Sequence, residues 1–345
     1  MKLGKRYGNG ILVAECLYGE NRHQAPAGHY RQPNRDHPLA LHNFEQVAGK
    51  PLSYNNLADL DRLVHTLIRA KVVMRQAGSM PNVVLAAKHG NCCGASYHDD
   101  FKLACEKAAG GDERALFGGV VLASGTIDEA EAELLVSKSD NSKQLFDMVV
   151  ASGFTTAGAS VLERKAGKCR LLSHWRLELD QSYYIPEQLR RRSVLGGFLI
   201  QPEYSFVPDL QAPYVTATKR VSKDLERDLL FAWAIGSTSN SNTISLVQSG
   251  RLVGNGVAQQ DRVGAAELAI KRARDAGHEL RHFVAYSDSF FPFDDGPKRL
   301  IEAGAAAILT SSGSLRDADT VKACEDSGVA LYLMPDDLCR GFCWH

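Results

Sequence analysis

Short apolar runs alternate with longer amphipathic segments along most of the chain. The short runs are rich in Val, Ile, Leu and Phe and predict β-strands: NVVLAA, GGVVLAS, FDMVVAS, GGFLIQ, HFVAYSD, AAAILTS and VALYLMP. Between them, apolar residues recur at helical spacing in LADLDRLVHTLIRAKVVMRQ, DEAEAELLVSK, KDLERDLLFAWAIG and DRVGAAELAIKRARDAG. This alternation predicts an α/β fold with mixed, largely parallel sheets flanked by helices, and with ligand sites at the carboxyl ends of strands.

One polar, proline-bearing stretch interrupts the alternation, QPEYSFVPDLQAPYVTATKR at residues 201–220. It predicts two α/β lobes, residues 1–200 and 201–345. The sequence contains no short-period repeat and no low-complexity run, which argues against a solenoid.

Composition narrows the class of protein. The 345 residues include 40 Lys or Arg and 40 Asp or Glu, so no overall positive field favours nucleic acid or an anionic membrane. The N-terminus lacks a long apolar segment, and no later window is apolar over the about 18 residues that a membrane helix needs. The eight cysteines include no CxxC pair, and we expect reduced thiols in a cytoplasmic protein.

The polar stretch KHGNCCG, residues 88–94, carries the first candidate chemistry. It follows the strand NVVLAA and precedes ASYHDDFKLACEKAAGG, which has helical spacing, so we expect a strand-to-helix turn that bears Lys88 and His89. An imidazole at such a turn can serve as a general base. On the local pattern alone, a structural loop histidine is the commoner alternative.

Other stretches leave two interpretations each. YGENRHQ (residues 18–24) is a solvated loop or part of a polar site, and one of Asn55 and Asn56 in LSYNNLAD is expected to cap the next helix while the other binds a ligand. ALFGGVV (residues 115–121) is a tight turn or a point where a ligand approaches the backbone. SDSFFPFDDG (residues 287–296) suits a flat heteroaromatic ligand or plugs the core with its Phe residues.

Several common sites are excluded. VGNGVAQQDR does not match the GxGxxG dinucleotide motif, and the chain has no GxxxxGK[ST] phosphate loop, no HExxH and no GxSxG.

Ten motifs, taken in order, resemble the AICAR transformylase family over essentially the whole chain: YGENRHQ, LSYNN, KHGNCCGAS, FGGVV, TKR, SNTI, GNGVAQQDR, SDSFFPFDDG, GSLRD and CRGFCWH. This family is the formyltransferase half of the bifunctional protein that completes purine biosynthesis. The cyclohydrolase module would precede YGEN, where this chain has seventeen residues, so we expect a transformylase without cyclohydrolase activity.

The resemblance implies two cytidine-deaminase-like lobes and a homodimer whose active sites are shared between subunits. It implies transfer of a formyl group from 10-formyltetrahydrofolate to the 5-amino group of AICAR. No transition metal is expected, because the HxE and PCxxC ligand pattern of zinc deaminases is absent.

The resemblance also assigns residues. His89 would be the general base, Lys88 a charge stabiliser or acid, and Asn242 their support. The residues it implies at the nucleotide are Tyr18, Gly19, Asn56, Arg262, Arg340, Phe290 and Pro292. Those it implies on the folate side are Gly118, Asp147, Phe291 and Asp295.

The chain departs from the family pattern around the expected phosphate site. The family reads RYGENPHQ, so Leu17 replaces an Arg that contacts the phosphate, and Arg22, Lys5 or Arg6 would have to supply the charge. KHxNPxG has become KHGNCCG, and DAFFPFRDN has become DSFFPFDDG. The ending RGFCWH is one residue longer than RxFxH, which leaves the match of His345 to the family's last His open.

These departures keep two alternatives in play. One is a specialised formyltransferase that acts on a different amine, and the other is a non-catalytic folate-binding or nucleotide-binding protein.

Overall fold

A computed structural model describes residues 3–33 and 36–343 of the chain, so His345 lies outside the described residues. The strands are β1 (Arg6–Tyr7), β2 (Gly10–Cys16), β3 (Ala27–Arg31), β4 (Glu45–Ala48), β5 (Asn82–Lys88), β6 (Asn91–His98), β7 (Val120–Ala123), β8 (Met148–Ala151), β9 (Arg170–Ser173), β10 (Leu189–Val194), β11 (Gly197–Pro202), β12 (Thr216–Ala217), β13 (Ile244–Gln248), β14 (Arg251–Gly256), β15 (Phe283–Ser287), β16 (Ala305–Ser312) and β17 (Ala330–Pro335). The helices are α1 (Tyr54–Gln76), α2 (Phe101–Ala109), α3 (Glu113–Leu116), α4 (Glu129–Val136), α5 (Thr156–Leu162), α6 (Lys223–Gly236), α7 (Arg262–Asp275), α8 (Asp295–Glu302), α9 (Asp317–Asp326) and α10 (Asp336–Cys339). Short 3₁₀ helices lie at Leu41–Asn43, Lys165–Gly167, Trp175–Glu178 and Asp180–Ser182.

Twelve strands form one continuous sheet in the order β12-β17-β16-β15-β13-β14-β6-β5-β7-β8-β9-β4. Parallel pairing joins β7, β8 and β9 and, separately, β15, β16 and β17. The other neighbours run antiparallel, including β6 and β14 at the centre. The predicted mixed α/β class is confirmed, but parallel pairing is less extensive than expected because each half of the sheet opens with a β-hairpin.

The two halves of this sheet repeat one topology. Helix α1, hairpin β5–β6, helix α2 and strands β7–β9 form the first half, and α6, β13–β14, α7 and β15–β17 form the second. The halves meet antiparallel at β6 and β14. As a result, the turn of the first hairpin lies at the same sheet edge as the carboxyl ends of β15, β16 and β17.

Helices cover both faces of the sheet. Helices α1 and α6 share one core on one face, which includes Leu63, Leu67, Phe231 and Trp233. Helices α2, α4 and α5 cover the opposite face of the first half, and α7, α8 and α9 cover that of the second. The apolar face of each helix therefore accounts for its position.

KHGNCCG is not a strand-to-helix turn, so this prediction is wrong. The chain passes from β5 to β6 through His89 and Gly90, and α2 begins only at Phe101. The segment around Gly94 is part of β6, and α2 packs directly onto it. A Cβ on Gly94 would lie 2.3 Å from the carbonyl oxygen of Ala108. The small residues of this segment made the predicted helical pattern begin too early in the sequence. In the structure they allow the helix to pack closely on the strand.

Two smaller sheets lie outside the main one: the three strands β1–β3 and the hairpin β10–β11. The apolar run GGFLIQ contains most of β11, and all of its residues are exposed. The predicted division at residues 200 and 201 falls inside this strand, and the domain bounds stay a prediction. Within the described residues, none of the helices has the length and apolar character to cross a membrane.

Candidate active site

The turn between β5 and β6 carries Lys88 and His89. Its two central residues both have positive φ, 53° at His89 and 73° at Gly90, as in a tight two-residue hairpin. The backbone N–H of Gly90 donates to Oδ1 of Asp59 at 2.7 Å, and Nδ2 of Asn91 donates to the carbonyl oxygen of His89 at 3.1 Å. The His89 backbone is thus held from α1 on one side and from β6 on the other.

Lys88 lies against the segment that precedes β7. Its Nζ donates to the carbonyl oxygen of Phe117 at 2.5 Å, and a Cβ on Gly118 would lie 3.9 Å from that Nζ. The backbone N–H of Asp147 donates to Gly119 at 3.0 Å, so the start of β8 lies beside the same segment. The structure therefore brings Gly118 and Asp147 next to the Lys88–His89 turn.

Asp147 already has a cationic partner. Its Oδ1 lies 3.0 Å from Nη1 of Arg164. About half of the Asp147 side chain is exposed, so a ligand can still approach it.

Asn242 approaches the same turn from the second half. Oδ1 of Asn91 accepts from the backbone N–H of Asn240 at 2.9 Å, which ties the Lys88–His89 turn to the loop that contains Asn242. Nδ2 of Asn242 donates to the carbonyl oxygen of Gln259 at 2.9 Å. The three predicted catalytic residues thus belong to two loops joined by a direct hydrogen bond.

Arg262 lies at the first position of α7, beside the carboxyl end of β15. Its Nη2 lies 3.3 Å from Oδ1 of Asp288, and its Nε donates to the carbonyl oxygen of Ser289 at 3.2 Å. Burial lowers the pKa of Arg262 and raises that of Asp288. Oδ2 of Asp288 also accepts from the backbone N–H of Thr243 at 3.1 Å, which connects Arg262 to the Asn242 loop.

Arg340 lies near Arg262 across the ring of Phe342. The Cζ atoms of Arg262 and Arg340 lie 5.7 Å and 5.2 Å from the centre of that ring, and Cζ of Arg340 lies 5.9 Å from the ring of Phe290. Arg340 also pairs with Asp336, whose Oδ1 accepts from Ser289 Oγ at 3.0 Å and from Ser311 Oγ at 2.5 Å. Arg262, Arg340 and Phe290 therefore form one group at the carboxyl ends of β15–β17.

The rest of the FFPF segment divides between core and surface. Phe291 is 2% exposed and packs in the core of the second half against Gly296. Pro292 and Asp295 are exposed. The assignment of Phe291 to the folate side stays a prediction, and in this conformation its ring has no free surface for a ligand.

The YGENRHQ loop packs on the start of α1. The carbonyl oxygen of Tyr18 accepts from the N–H of Tyr54 at 3.1 Å, and Nδ2 of Asn55 donates to the carbonyl oxygen of Glu20 at 3.0 Å. Gly19 bonds Gln24 across the loop at 2.8 Å, which closes the loop on itself.

The helix cap predicted at Asn55 or Asn56 is wrong. Ser53 is the cap, and Oδ1 of Asn56 accepts from the Ser53 backbone N–H at 3.0 Å. This reciprocal pair buries Asn56, so its amide is engaged in the helix start.

A cleft of about 710 Å³ joins this loop to His89. Glu20, Tyr54, Asn55, Asp59, Arg62 and His89 are among its lining residues. Arg22, Lys5 and Arg6 are exposed and lie outside that lining. A smaller cavity of about 250 Å³ lies on the other side of the turn and contacts Lys88, His89 and Asn91.

Sequence reasoning assigned no role to three polar residues of this region: Asp59, Asn91 and Asp288. Asn91 lies inside the KHGNCCG motif and Asp288 inside SDSFFPFDDG, so both were visible as polar residues of a candidate stretch. Asp59 lies on a helix, and only a comparison of the two halves of the sequence could have signalled it.

The cysteines and possible metal ligands add little to the site. All eight cysteines are free thiols, and burial raises the pKa of Cys92 to about 12. In residues 3–33 and 36–343, no three His, Cys, Asp or Glu side chains are grouped so as to hold a metal ion. The expectation that no transition metal takes part stays a prediction.

Comparison with known proteins agrees with the motifs. A sequence model of the AICARFT/IMPCHase bienzyme family matches residues 8–272. The bifunctional purine biosynthesis protein PurH of Oceanobacillus iheyensis is 34% identical over 320 residues, which are 92% of this chain and 58% of the relative. PurH of Prochlorococcus marinus is 34% identical over 334 residues, 93% of this chain and 59% of the relative. PurH of Anoxybacillus flavithermus is 30% identical over 315 residues, 91% of this chain and 56% of the relative.

This chain therefore spans less than two thirds of the length of the relatives that it matches. The family match extends over most of the chain and includes the turn that carries Lys88 and His89. The protein belongs to the AICARFT/IMPCHase bienzyme family.

Proposed function

We propose that the protein transfers a formyl group from 10-formyltetrahydrofolate to the 5-amino group of AICAR, as a folate-dependent formyltransferase of purine biosynthesis. One observation carries the proposal. The Lys88–His89 turn contacts the Gly118 segment of the first half and the Asn242 loop of the second, beside a cleft of about 710 Å³.

The chemistry requires a base and a group that stabilises negative charge. A bond forms between the acceptor nitrogen and the formyl carbon, and the bond from that carbon to the folate nitrogen breaks. The amine is conjugated to an imidazole carboxamide and is a weak nucleophile, so His89 accepts its proton as the new bond forms. Lys88 stabilises the developing oxyanion or protonates the departing folate nitrogen, with Asn242 as a further polar contact.

The remaining assignments follow the two groups of residues in the fold. Arg262 and Arg340, with Phe290 and Pro292, would hold the nucleotide, as would Tyr18, Gly19 and Asn56. Gly118 and Asp147, with Phe291 and Asp295, would contact the folate. The proposed chemistry uses no transition metal.

We propose a homodimer with shared active sites as part of this function. The hairpin β10–β11 supports it, because Phe198, Leu199 and Ile200 are 52%, 62% and 56% exposed in the single chain. A two-stranded hairpin with apolar side chains on both faces is marginal in water and is expected to pack against another surface.

A different acceptor amine is the second candidate. Leu17 stands where the family has a phosphate-binding Arg, and Arg22, Lys5 and Arg6 do not line the cleft. Loss of one charge-assisted contact costs about 2 kcal/mol when the phosphate is still present. A non-catalytic binding protein is the third candidate, and the joint presence of Lys88, His89 and Asn242 counts against it.

The deciding experiment is a formyl-transfer assay on purified protein with 10-formyltetrahydrofolate, which follows the release of tetrahydrofolate. AICAR and its dephosphorylated nucleoside are run in parallel. Turnover with AICAR alone supports the proposal, and turnover with the nucleoside supports the different acceptor. Folate binding without turnover on any amine supports the non-catalytic protein.

A further inference from the structure

The side chain of Asp59 in α1 bonds the turn that carries His89. It lies at the sixth position of that helix, and its Oδ1 accepts from the backbone N–H of Gly90 at 2.7 Å. The side chain of Asp59 is partly buried and lines the cleft together with His89. It touches the turn through the backbone and leaves the imidazole free.

The second half of the molecule contains the same device. Ser222 caps α6 as Ser53 caps α1, and Asp228 is the sixth residue of α6. Oδ1 of Asp228 accepts from the backbone N–H of Gly250 at 2.8 Å. The turn between β13 and β14 has φ of 52° at Ser249 and 75° at Gly250, matching the first turn.

The repeat shows what the carboxylate does independently of any ligand. In both halves a helical Asp fixes the glycine N–H of a hairpin turn in which a non-glycine residue adopts positive φ, a conformation that needs external support. In the second half the Asp is shared, because the hydroxyl of Tyr97 also donates to Asp228 Oδ1 at 2.7 Å. In the first half the turn residue is His89 and the Asp faces the cleft.

The surroundings of Asp59 act on its carboxyl group in both directions. Burial raises the pKa of Asp59 and the charge of Asp147 adds to that shift, whereas the Gly90 N–H, His89 and Arg62 oppose it without cancelling it. A hydrogen bond to a carboxylate is about twice as strong as one to a neutral acceptor. The ionised side chain therefore holds the turn more tightly than a neutral one.

We propose that Asp59 is a positioning residue for the transfer reaction: its carboxylate fixes the His89–Gly90 turn and so aims the imidazole at the acceptor amine. This role rests on the proposed function of His89 as the general base, and Asp59 is the residue that keeps His89 in position for it. A base displaced by about 1 Å loses on the order of 10²-fold in rate, so a loose turn lowers kcat more than it raises KM.

Asp59→Asn and Asp59→Ala test the proposal, with Asp228→Asn and Asp228→Ala as matched controls in the other turn. We expect kcat to fall about fivefold in Asp59→Asn, which keeps a weaker acceptor. We expect kcat to fall about 10²-fold in Asp59→Ala, which has no acceptor for the Gly90 N–H. KM for both substrates stays within about threefold. The Asp228 variants lower the midpoint of thermal unfolding but keep wild-type kcat.

A second readout does not depend on activity. Fragment-resolved hydrogen exchange measures the amide of Gly90, which exchanges faster in both Asp59 variants and at the wild-type rate in the Asp228 variants. Wild-type kcat in both Asp59 variants overturns the proposal, as does unchanged exchange at Gly90. If Asp59→Ala does not fold, the isosteric Asp59→Asn decides by the same two measurements. If the wild type transfers no formyl group to any acceptor, the proposed function fails, and the exchange data still decide whether Asp59 holds the turn.

Discussion

His89 combines an unfavourable backbone with a reactive side chain. Its φ of 53° is uncommon for a residue with a Cβ and costs about 1–3 kcal/mol. The conformation persists because Asp59 and Asn91 bond the turn from both sides. Ser249 has a nearly identical φ in the second hairpin but no imidazole. The backbone strain is therefore a property of the turn, and the proposed general-base role depends on the imidazole.

Replacing His89 should remove turnover and leave ligand binding in place. His89→Ala deletes the proposed base, and general-base catalysis contributes about 10²–10⁴-fold. We expect a loss of kcat in that range while folate affinity, measured by calorimetry, changes little. Ser249→Ala is the matched control at the equivalent turn position and should keep full turnover.

The pH dependence gives an independent check of His89. Turnover should fall on the acid side, because an imidazolium cannot accept the proton of the amine. A rate that does not fall as the pH is lowered, with chemistry limiting, would contradict the role of His89.

His65 in α1 should make the protein less stable in acid. Burial, followed by the positive charge of Arg69, lowers the pKa of His65 from 6.5 to about 3. Between those values the unfolded chain binds a proton that the folded protein does not, so the free energy of unfolding falls as the pH falls through this window. Above pH 6.5 the neutral imidazole carries no such penalty.

Urea unfolding at a series of pH values measures this effect. His65→Gln removes the titration, so its stability should fall less steeply below pH 6.5 than that of the wild type. His23→Gln, on the exposed N-terminal loop, is the control and should follow the wild type. Identical slopes for His65→Gln and the wild type would contradict this prediction, because they would show that His65 binds its proton equally well in the folded and unfolded states.

At the scale of elements, the apolar pattern predicted strands better than turns. NVVLAA lies within β5, HFVAYSD contains β15, and the four amphipathic segments correspond to α1, α4, α6 and α7. The hairpin of β5 and β6 was missed because β6 consists largely of small and polar residues, NCCGASYH, which have no strong strand pattern. GGFLIQ is a strand as predicted, but it is exposed in the single chain. An apolar run indicates that a strand will be buried but does not predict which surface will cover it.

Paired glycines explain how the helices α2 and α7 pack onto those hairpins. Gly94 on β6 and Gly254 on β14 lie four residues after their turn glycines, and a Cβ on either would lie 2.3 Å from a helix carbonyl oxygen. Those oxygens belong to Ala108 and Ala269, each at the eighth position of its helix. Each close contact therefore fixes one helix on one half of the sheet.

Gly94→Ala and Gly254→Ala should both destabilise the protein, by about 1–3 kcal/mol each, because backbone atoms must shift to admit the methyl group. Denaturant unfolding measures the change in free energy. Gly153→Ala is the control, since a Cβ there meets its nearest atom at 3.5 Å, an ordinary contact, and should cost little. A neutral Gly94→Ala would mean that α2 can move away from β6 without loss.

At the scale of the whole molecule, one sheet has two related edges with different contents. One edge carries the Lys88–His89 turn and the group of Arg262 and Arg340. The other carries the Ser249–Gly250 turn, where Lys107 and Asp228 bond the turn backbone. The two turns have equivalent positions in the repeated topology. They differ in the side chain at the first turn residue, which is an imidazole at His89 and a hydroxyl at Ser249.

The motifs identified candidate residues of this site but did not predict how those residues are arranged. KHGNCCG contains His89, and SDSFFPFDDG is the segment that bonds Arg262. Neither motif predicts the pairing of β6 with β14, which brings the two halves together. Asn56 and Phe291 were assigned to ligands, and the structure engages them in a helix start and a core. A motif fixes residue identity along the chain, whereas contacts across the sheet depend on the whole fold.

The exposed hairpin should decide the oligomeric state. Leu199 and Ile200 lie on neighbouring positions of β11 and therefore on opposite faces of the ribbon, and in the proposed dimer a second copy of the chain would cover both faces. Leu199→Glu with Ile200→Glu places two charges in that contact, and we expect the mass from light scattering to fall from about twice 37.7 kDa to 37.7 kDa. Formyl transfer should fall with it, because the proposed shared sites would be completed only in the dimer. Leu315→Glu, a fully exposed apolar residue outside the hairpin, is the control and should change neither mass nor rate. A wild-type chain that is monomeric and fully active would contradict the shared site and leave the hairpin for another partner.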